Sequence, residues 1–205
     1  ILSEESSDIP YHERSKWSHY WLIDPLDGTK EFIKKNGEFT TNIALIYENR
    51  PIFGMIHVPA SNEIFWGSKE AGAYHLSGDS LSNKKKISVS KEKKDNLRIV
   101  SSRSHPSGGL KILLDKLEKF KLVSVGSSLK FCLIAKGEAD CYPRLGPTCE
   151  WDTAAGEIIA ESAGGNVVNL ENKTMKYNHK ENYLNPHFLV SNSIYTKKEI
   201  FSIMK

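Results

Sequence analysis

The apolar rhythm of this chain changes once, across residues 91–96, and that change limits the folds open to it. Before it, short β-branched and aromatic runs are cut by Glu48-Asn49-Arg50-Pro51 and Pro59-Ala60-Ser61-Asn62, which are good turn sequences. Strands are predicted there over 41–47, 52–58, 63–66 and 73–76, as an antiparallel meander. After it, strands over 97–100, 122–125, 139–143, from 167 and over 188–190 alternate with helices over 110–120, 129–136, 152–163 and from Tyr195. Leu110, Leu113, Leu114 and Leu117 form one apolar stripe on the first of those helices. The expectation is an α/β chain with a largely antiparallel first sheet, spanning 1–96, and a second α/β lobe, spanning 97–205, with one site shared between them.

Composition excludes several classes. With 205 residues, 39% hydrophobic and 26% charged, the chain can bury a core as one domain or two small lobes. A net charge of +3 is too weak to argue for a nucleic-acid partner, although it does not repel a small anion. No apolar run approaches the ~20 residues of a membrane span. The lysine clusters, Lys84-Lys85-Lys86 among them, are all that supports a peripheral membrane contact; that run reads first as a solvated loop tip, with a phosphate patch as the alternative. Cys132, Cys141 and Cys149 are odd in number and lack C-x-x-C spacing, so neither a disulfide framework nor a zinc site is expected, and a reducing cytoplasm fits. Nothing in the sequence indicates an oligomeric state.

Three acidic places carry chemistry: Glu4-Glu5, Asp24 with Asp27, and Asp152. Tyr20-Trp21-Leu22-Ile23 reads as a buried strand that stops at Asp24-Pro25-Leu26-Asp27-Gly28-Thr29, followed by a short helix over 30–35. Pro25 restricts Asp24 to extended geometry, so the two carboxylates can converge on one point. Gly28 lets a bulky anion approach the backbone, and the helix start behind it offers free N–H groups. Carboxylates close to a phosphate need hard cations between them, and Mg²⁺ with its oxygen ligands fits. The same hexad is also good turn chemistry, and alone it does not choose between turn and metal site. Asp152 is either a helix N-cap or a third carboxylate, with Thr153-Ala154-Ala155-Gly156 behind it allowing close packing. Trp151 reads as core.

Taken together, Ser3-Glu4-Glu5, the run from Trp21 through Asp24-Pro25-Leu26-Asp27-Gly28-Thr29 to Phe32, and Trp151-Asp152-Thr153-Ala154-Ala155-Gly156 resemble the inositol monophosphatase superfamily of Mg²⁺-dependent, lithium-sensitive phosphatases. Asn36-Gly37-Glu38-Phe39-Thr40, Ser101-Ser102-Arg103-Ser104-His105, Gly126-Ser127-Ser128-Leu129-Lys130-Phe131-Cys132, Tyr142-Pro143-Arg144 and Leu184-Asn185-Pro186 are similar to its nucleotide-cleaving branch. The resemblance implies an α+β layered sandwich. It also implies hydrolysis of the 3'-phosphate of adenosine 3',5'-bisphosphate to AMP and phosphate, in sulfur assimilation and nucleotide recycling.

It further implies that Glu4, Asp24 and the Leu26 carbonyl hold one Mg²⁺, that Asp24, Asp27 and Asp152 hold a second, and leaves a third open. Asp27, Gly28 and Thr29 would bind the departing phosphate, with Thr29 orienting the water. Ser102, His105, Ser127, Lys130 and Arg144 would hold the other phosphate. That last set has its own physical basis: Ser127 is expected to open a helix facing an anion, Lys130 lies one turn along, and Arg144 offers a bidentate fork. The plainer readings are a solvated helix face for Lys130 and a surface loop for His105.

Relatives of this kind carry an opening helical segment with a further acid that acts on the water, and this sequence begins at the S-E-E motif. The expectation is that an amino-terminal part is missing, so that the polypeptide as written is poorly active and poorly soluble while the whole gene product is active. Inositol monophosphate or another sugar phosphate is the alternative substrate, and a non-catalytic nucleotide- or metal-binding fragment is the alternative of another class.

Overall fold

The computed structural model describes residues 1–6, 8–92, 96–103 and 108–204. The first sheet has seven strands in sequential order: β1 (Leu2–Ser3), β2 (His19–Asp27), β3 (Thr40–Tyr47), β4 (Arg50–Val58), β5 (Glu63–Ser68), β6 (Gly72–Ser77) and β7 (Lys85–Ile87). β1 pairs parallel to β2, and every later pair is antiparallel, as short meander turns require. The second sheet is mixed. It contains β8 (Leu97–Ser102), β9 (Phe120–Val125), β10 (Cys141–Arg144), β11 (Asn166–Asn169) and β12 (Phe188–Ser191), in the order β11-β12-β10-β8-β9. Its parallel pairs, β8 with β9 and β8 with β10, are spanned by helices; the helices of the chain are α1 (Tyr11–Arg14), α2 (Thr29–Ile33), α3 (Gly108–Asp115), α4 (Leu129–Ala135), α5 (Ala154–Ser162) and α6 (Ile194–Met204).

Side-chain alternation explains the layering. In β3, Thr40, Asn42, Ala44 and Ile46 face inward, and in β4, Gly54, Ile56 and Val58 do the same. α5 lies across β4 and β5, α4 packs on α5, and β10 and β12 lie beyond α4. One apolar cluster runs through all of these, from Leu22, Ala44, Ile56 and Phe65 through Ala155, Ile159 and Phe131 to Tyr142 and Phe188. Such close layering needs missing side chains. A Cβ on Gly54 would sit 2.5 Å from Ile158 Cγ2 and 2.6 Å from the Ala155 carbonyl oxygen, and one on Gly156 would sit 2.4 Å from the Phe131 ring. No helix among the described residues is long and apolar enough to cross a membrane.

Four details differ from the sequence-based expectation. The helix over 110–120 ends at Asp115, and Phe120 begins β9. Leu114, Leu117 and Phe120 all pack on the small cluster around Ile99 and Leu113, so the apolar stripe runs on past the helix end and hides it. Asp152 is not the N-cap of α5: it closes a 3₁₀ turn, Glu150–Asp152, and α5 starts at Ala154. Ser127 does not open a helix, because it has a left-handed φ of 44° and α4 begins at Leu129. The loop expected over 77–86 contains β7, which pairs with β6; its lysines are the kind of residue that keeps an exposed sheet edge from recruiting other chains.

Replacing Gly54 with Ala forces α5 off β4, because the clash is with helix backbone and not with a flexible tip. We expect Gly54→Ala to lower unfolding stability by about 1–3 kcal/mol in urea titration. A midpoint equal to that of the parent chain would contradict the packing described.

Candidate active site

The strand period delivers the first acid. Tyr20, Leu22 and Asp24 share the inward face of β2, so Asp24 ends an apolar row and is only 1% exposed. β1 then brings the second acid alongside. Ser3 is level with Ile23, and Glu4 N–H donates to the Ile23 carbonyl at 3.3 Å, which sets Glu4 beside Asp24. The pairing of β2 with β3 slips between Asp24 and Asp27. Leu26 N–H turns back onto Asp24 Oδ1 at 3.0 Å, and Asp27 is returned to the same side.

Asp152 arrives from the other half of the chain. Its Oδ2 accepts the Cys149 N–H at 2.8 Å, which fixes the 3₁₀ turn. The Asn185 amide donates to the Cys149 carbonyl at 2.7 Å and to Thr153 Oγ1 at 2.9 Å, so the Leu184-Asn185-Pro186 segment clamps the loop carrying this acid. One carboxylate oxygen each from Asp24, Asp27 and Asp152 lies within 4.8 Å of the others. Glu4 lines the same cleft but stands outside that triplet.

Electrostatics records how crowded these acids are. Burial, then the charges of Asp27, Asp152 and Glu4, push the Asp24 carboxyl up to about 8. Burial and Asp27 push Asp152 to about 7. Burial and the adjacent Glu5 raise Glu4 above the ordinary carboxylate range. Asp24 Oδ2 is buried with no protein hydrogen-bond partner, which costs free energy unless something else satisfies it. An all-oxygen donor set with one orphaned carboxylate oxygen suits a hard divalent cation.

The acids open into a cleft of about 380 Å³ that is also lined by Leu26, Gly28, Thr29, Ser102, Ser127, Lys130 and Arg144. Gly28 has φ 89°, a left-handed turn that swings the chain from β2 into α2, and a Cβ there would press on the Glu38 carbonyl and Ser127. Lys130 is not on a solvated helix face. It is 6% exposed, donates to the carbonyls of Val125 at 3.3 Å and Ser127 at 2.5 Å, and lies 5.6 Å from the centre of the Tyr142 ring. Desolvation lowers its ammonium to about 8, against the attraction of Asp27. Trp151 is core, 7% exposed. His105 lies outside the described residues.

Three side chains that sequence reading gave no role hold the acids in place. Ser128 Oγ donates to Asp27 Oδ2 at 2.6 Å, is within 2.8 Å of the Asp152 carbonyl, and accepts from the Asn42 amide at 2.9 Å. Asn42 and Thr40, on the inward face of β3, also reach Asp27 Oδ2, at 3.3 and 3.4 Å. Polar residues at the inward positions of an otherwise apolar strand were the available signal for Thr40 and Asn42. The cysteines are free; Cys149, the most exposed of them, is pushed up to about 11 by burial, so a thiolate nucleophile is not available.

Clustered carboxylates in a cleft that Lys130 and Arg144 also line fit a metal-assisted phosphatase type of site, and sequence comparison agrees with that class of protein. The profile of the inositol monophosphatase family matches residues 1–203, and the chain belongs to that family. It is 47% identical over 192 residues to the Escherichia coli K12 protein named 3'(2'),5'-bisphosphate nucleotidase CysQ, a match spanning 93% of this chain and 75% of that one. A protein of the same name from Aggregatibacter actinomycetemcomitans is 39% identical over 193 residues, spanning 93% and 70%. The solved structure of CysQ from Bacteroides thetaiotaomicron is similar with a TM-score of 0.84 at 40% identity, covering 93% of this chain and 76% of that one. An inositol monophosphatase from Zymomonas mobilis shares the fold, with a TM-score of 0.78 at 21% identity over 99% and 74%.

A cation entering this cluster must displace protons from Asp24 and Asp152. Both are raised, to about 8 and about 7, so both are largely protonated at pH 6 and ionised only as pH rises past those values. Mg²⁺ affinity is therefore expected to increase from pH 6 to about 8.5 and then level off, with proton release on binding. Calorimetric titration in two buffers of different ionisation enthalpy measures both. A pH-independent affinity without proton release would contradict the arrangement.

Proposed function

We propose that this chain is a Mg²⁺-dependent 3'(2'),5'-bisphosphate nucleotidase, removing the 3'-phosphate of adenosine 3',5'-bisphosphate to leave AMP and inorganic phosphate. The observation that carries the reading is the meeting of Asp24, Asp27 and Asp152 within 4.8 Å in a cleft that Lys130 and Arg144 also line. A monophosphorylated sugar needs only the acidic end. A nucleotide with two phosphates gives the cationic end an occupant, and the relatives at 47% and 39% identity bear that name.

Asp24, Asp27 and Asp152, with Glu4 and the Leu26 carbonyl, would hold Mg²⁺, two ions in our reading. When bound, Mg²⁺ lowers the pKa of a coordinated water and offsets charge on the transferring phosphoryl group. The protein supplies the rest. Gly28 and Thr29 receive the scissile phosphate at the start of α2, and the Thr29 hydroxyl orients the attacking water. Asp27 is held in position because Ser128, Asn42 and Thr40 all bond its Oδ2. Lys130 and Arg144 pair with the second phosphate, and Ser102 and Ser127 stand beside it. Lys130 is cationic below about pH 8 and that phosphate is dianionic above about pH 6, so the attraction is greatest near neutrality.

The same reading treats residues 1–96 and 97–205 as two lobes sharing one site. In support, β1 to β7 all precede residue 88, β8 to β12 all follow residue 96, and the acids come from both halves.

Phosphate release decides the substrate. With Mg²⁺ present we expect kcat/KM for adenosine 3',5'-bisphosphate to exceed that for inositol 1-phosphate by at least ~10²-fold, the discrimination that buried polar pairing supports, and Li⁺ to inhibit. Equal rates on the two substrates would return the reading to a general sugar phosphatase. Binding without turnover would make the chain a ligand-binding module.

A further inference from the structure

The fork between Glu38 and Arg103 lies outside the acid cluster and makes no contact with it among the described residues, yet it reaches the turn on which the cationic end of the cleft is built. Arg103 Nε and Nη2 donate to the two oxygens of Glu38, each at 2.7 Å. Arg103 Nη2 also donates to the Ser124 carbonyl at 2.7 Å, and its backbone N–H to the Val125 carbonyl at 3.4 Å. Glu38 Oε2 then accepts the Gly126 N–H at 2.8 Å. Gly126 is pressed into place as well, since a Cβ there would lie 2.6 Å from both the Glu38 carbonyl oxygen and Glu31 Cγ.

An ion pair this exposed contributes little stability of its own: the Arg103 side chain is 45% exposed. Its consequence is geometric. The Lys130 ammonium is tied to the carbonyls of Val125 and Ser127, the two residues that flank Gly126. Ser127 itself is held at φ 44°, a left-handed conformation that a serine keeps only when its surroundings impose it. The fork thus fixes residues 124–127, and those residues fix Lys130 and Ser127. Ser128 is anchored separately, through Asp27, Asp152 and Asn42. The turn therefore has two independent moorings, one on the acid cluster and one on Glu38.

We infer that Glu38 and Arg103 are positioning residues for the second phosphate, setting how tightly it binds without setting metal affinity or the rate of the chemical step. The inference rests on the bisphosphonucleotide reading, which supplies the second phosphate. Arg103→Ala removes the fork but leaves Glu38 to accept from Gly126. Glu38→Gln keeps an acceptor for Gly126 and loses the charge. Glu38→Ala loses both.

The test compares two inhibitors of the full chain with Mg²⁺: 5'-AMP, whose phosphate occupies the second-phosphate end, and inorganic phosphate, which occupies the acid end. Glu38→Ala is expected to raise KM for adenosine 3',5'-bisphosphate and Ki for 5'-AMP together by roughly tenfold, the loss of one charge-assisted hydrogen bond. Ki for inorganic phosphate, the Mg²⁺ midpoint and kcat are expected to stay within about twofold, and Glu38→Gln to restore most of the KM.

Unchanged KM in folded Glu38→Ala, or equal losses in both Ki values and kcat, would overturn the inference. If Glu38→Ala does not fold, the same split of at least about threefold must appear in Arg103→Ala, and its absence there is equally decisive. A parent chain that does not cleave the bisphosphonucleotide refutes the functional reading instead, so the two failures are told apart.

Discussion

Mutual repulsion among clustered carboxylates is the constraint on which the rest of this structure depends. Asp24, Asp27 and Asp152 come together in a setting where ionising all three is costly, and the raised Asp24 and Asp152 show the strain of doing so without a counter-charge. Apolar packing has to hold them there. Asp24 is carried in by the row Tyr20 and Leu22 on β2, and Asp152 by a turn docked through α5 onto β4. The close helix-to-sheet contact at Gly54 is thus part of the chemistry, because it sets how far the third acid stands from the first two.

The acids and the cations of the cleft pose opposite electrostatic problems. Among the acids, neutral donors such as Ser128 and Asn42 bond Asp27 and hold it in place. Among the cations, desolvation weakens the Lys130 ammonium, and carbonyl oxygens of Val125 and Ser127 keep it in position. Glu38 lies against both Gly28 and Gly126, its carbonyl oxygen 3.2 Å from where a Gly28 Cβ would be and 2.6 Å from where a Gly126 Cβ would be. A cleft polarised in this way favours a ligand that can meet cations at both ends.

Much of this was legible before the fold was known, for identifiable reasons. Strand alternation and turn residues located β3 to β6 because those signals are local. The D-P-L-D-G-T hexad marked the passage from β2 to α2, but β2 does not stop at Asp24 and runs on to Asp27, because the bulged strand resumes its pairing with β3 there. β1 was not legible: two residues make a strand only because Leu2 and Ser3 align with Leu22 and Ile23. The end of α3 was masked by an apolar stripe that continues into the second core cluster. Asp152 was found, but its setting was not, since a 3₁₀ turn and a helix start read alike in sequence. Thr40 and Asn42 left a trace as polar residues on the inward face of β3, but Ser128 and Glu38 act across long stretches of chain, and a single small or polar residue carries no local mark of a distant partner.

The central claim is that the three aspartates converge to hold a divalent cation. Anomalous diffraction from crystals grown with Mn²⁺ tests it most directly. The account predicts a peak within coordination distance of Asp24, Asp27 and Asp152 together, lost on Asp24→Asn. Mn²⁺ bound elsewhere, with those carboxylates unligated, would contradict it.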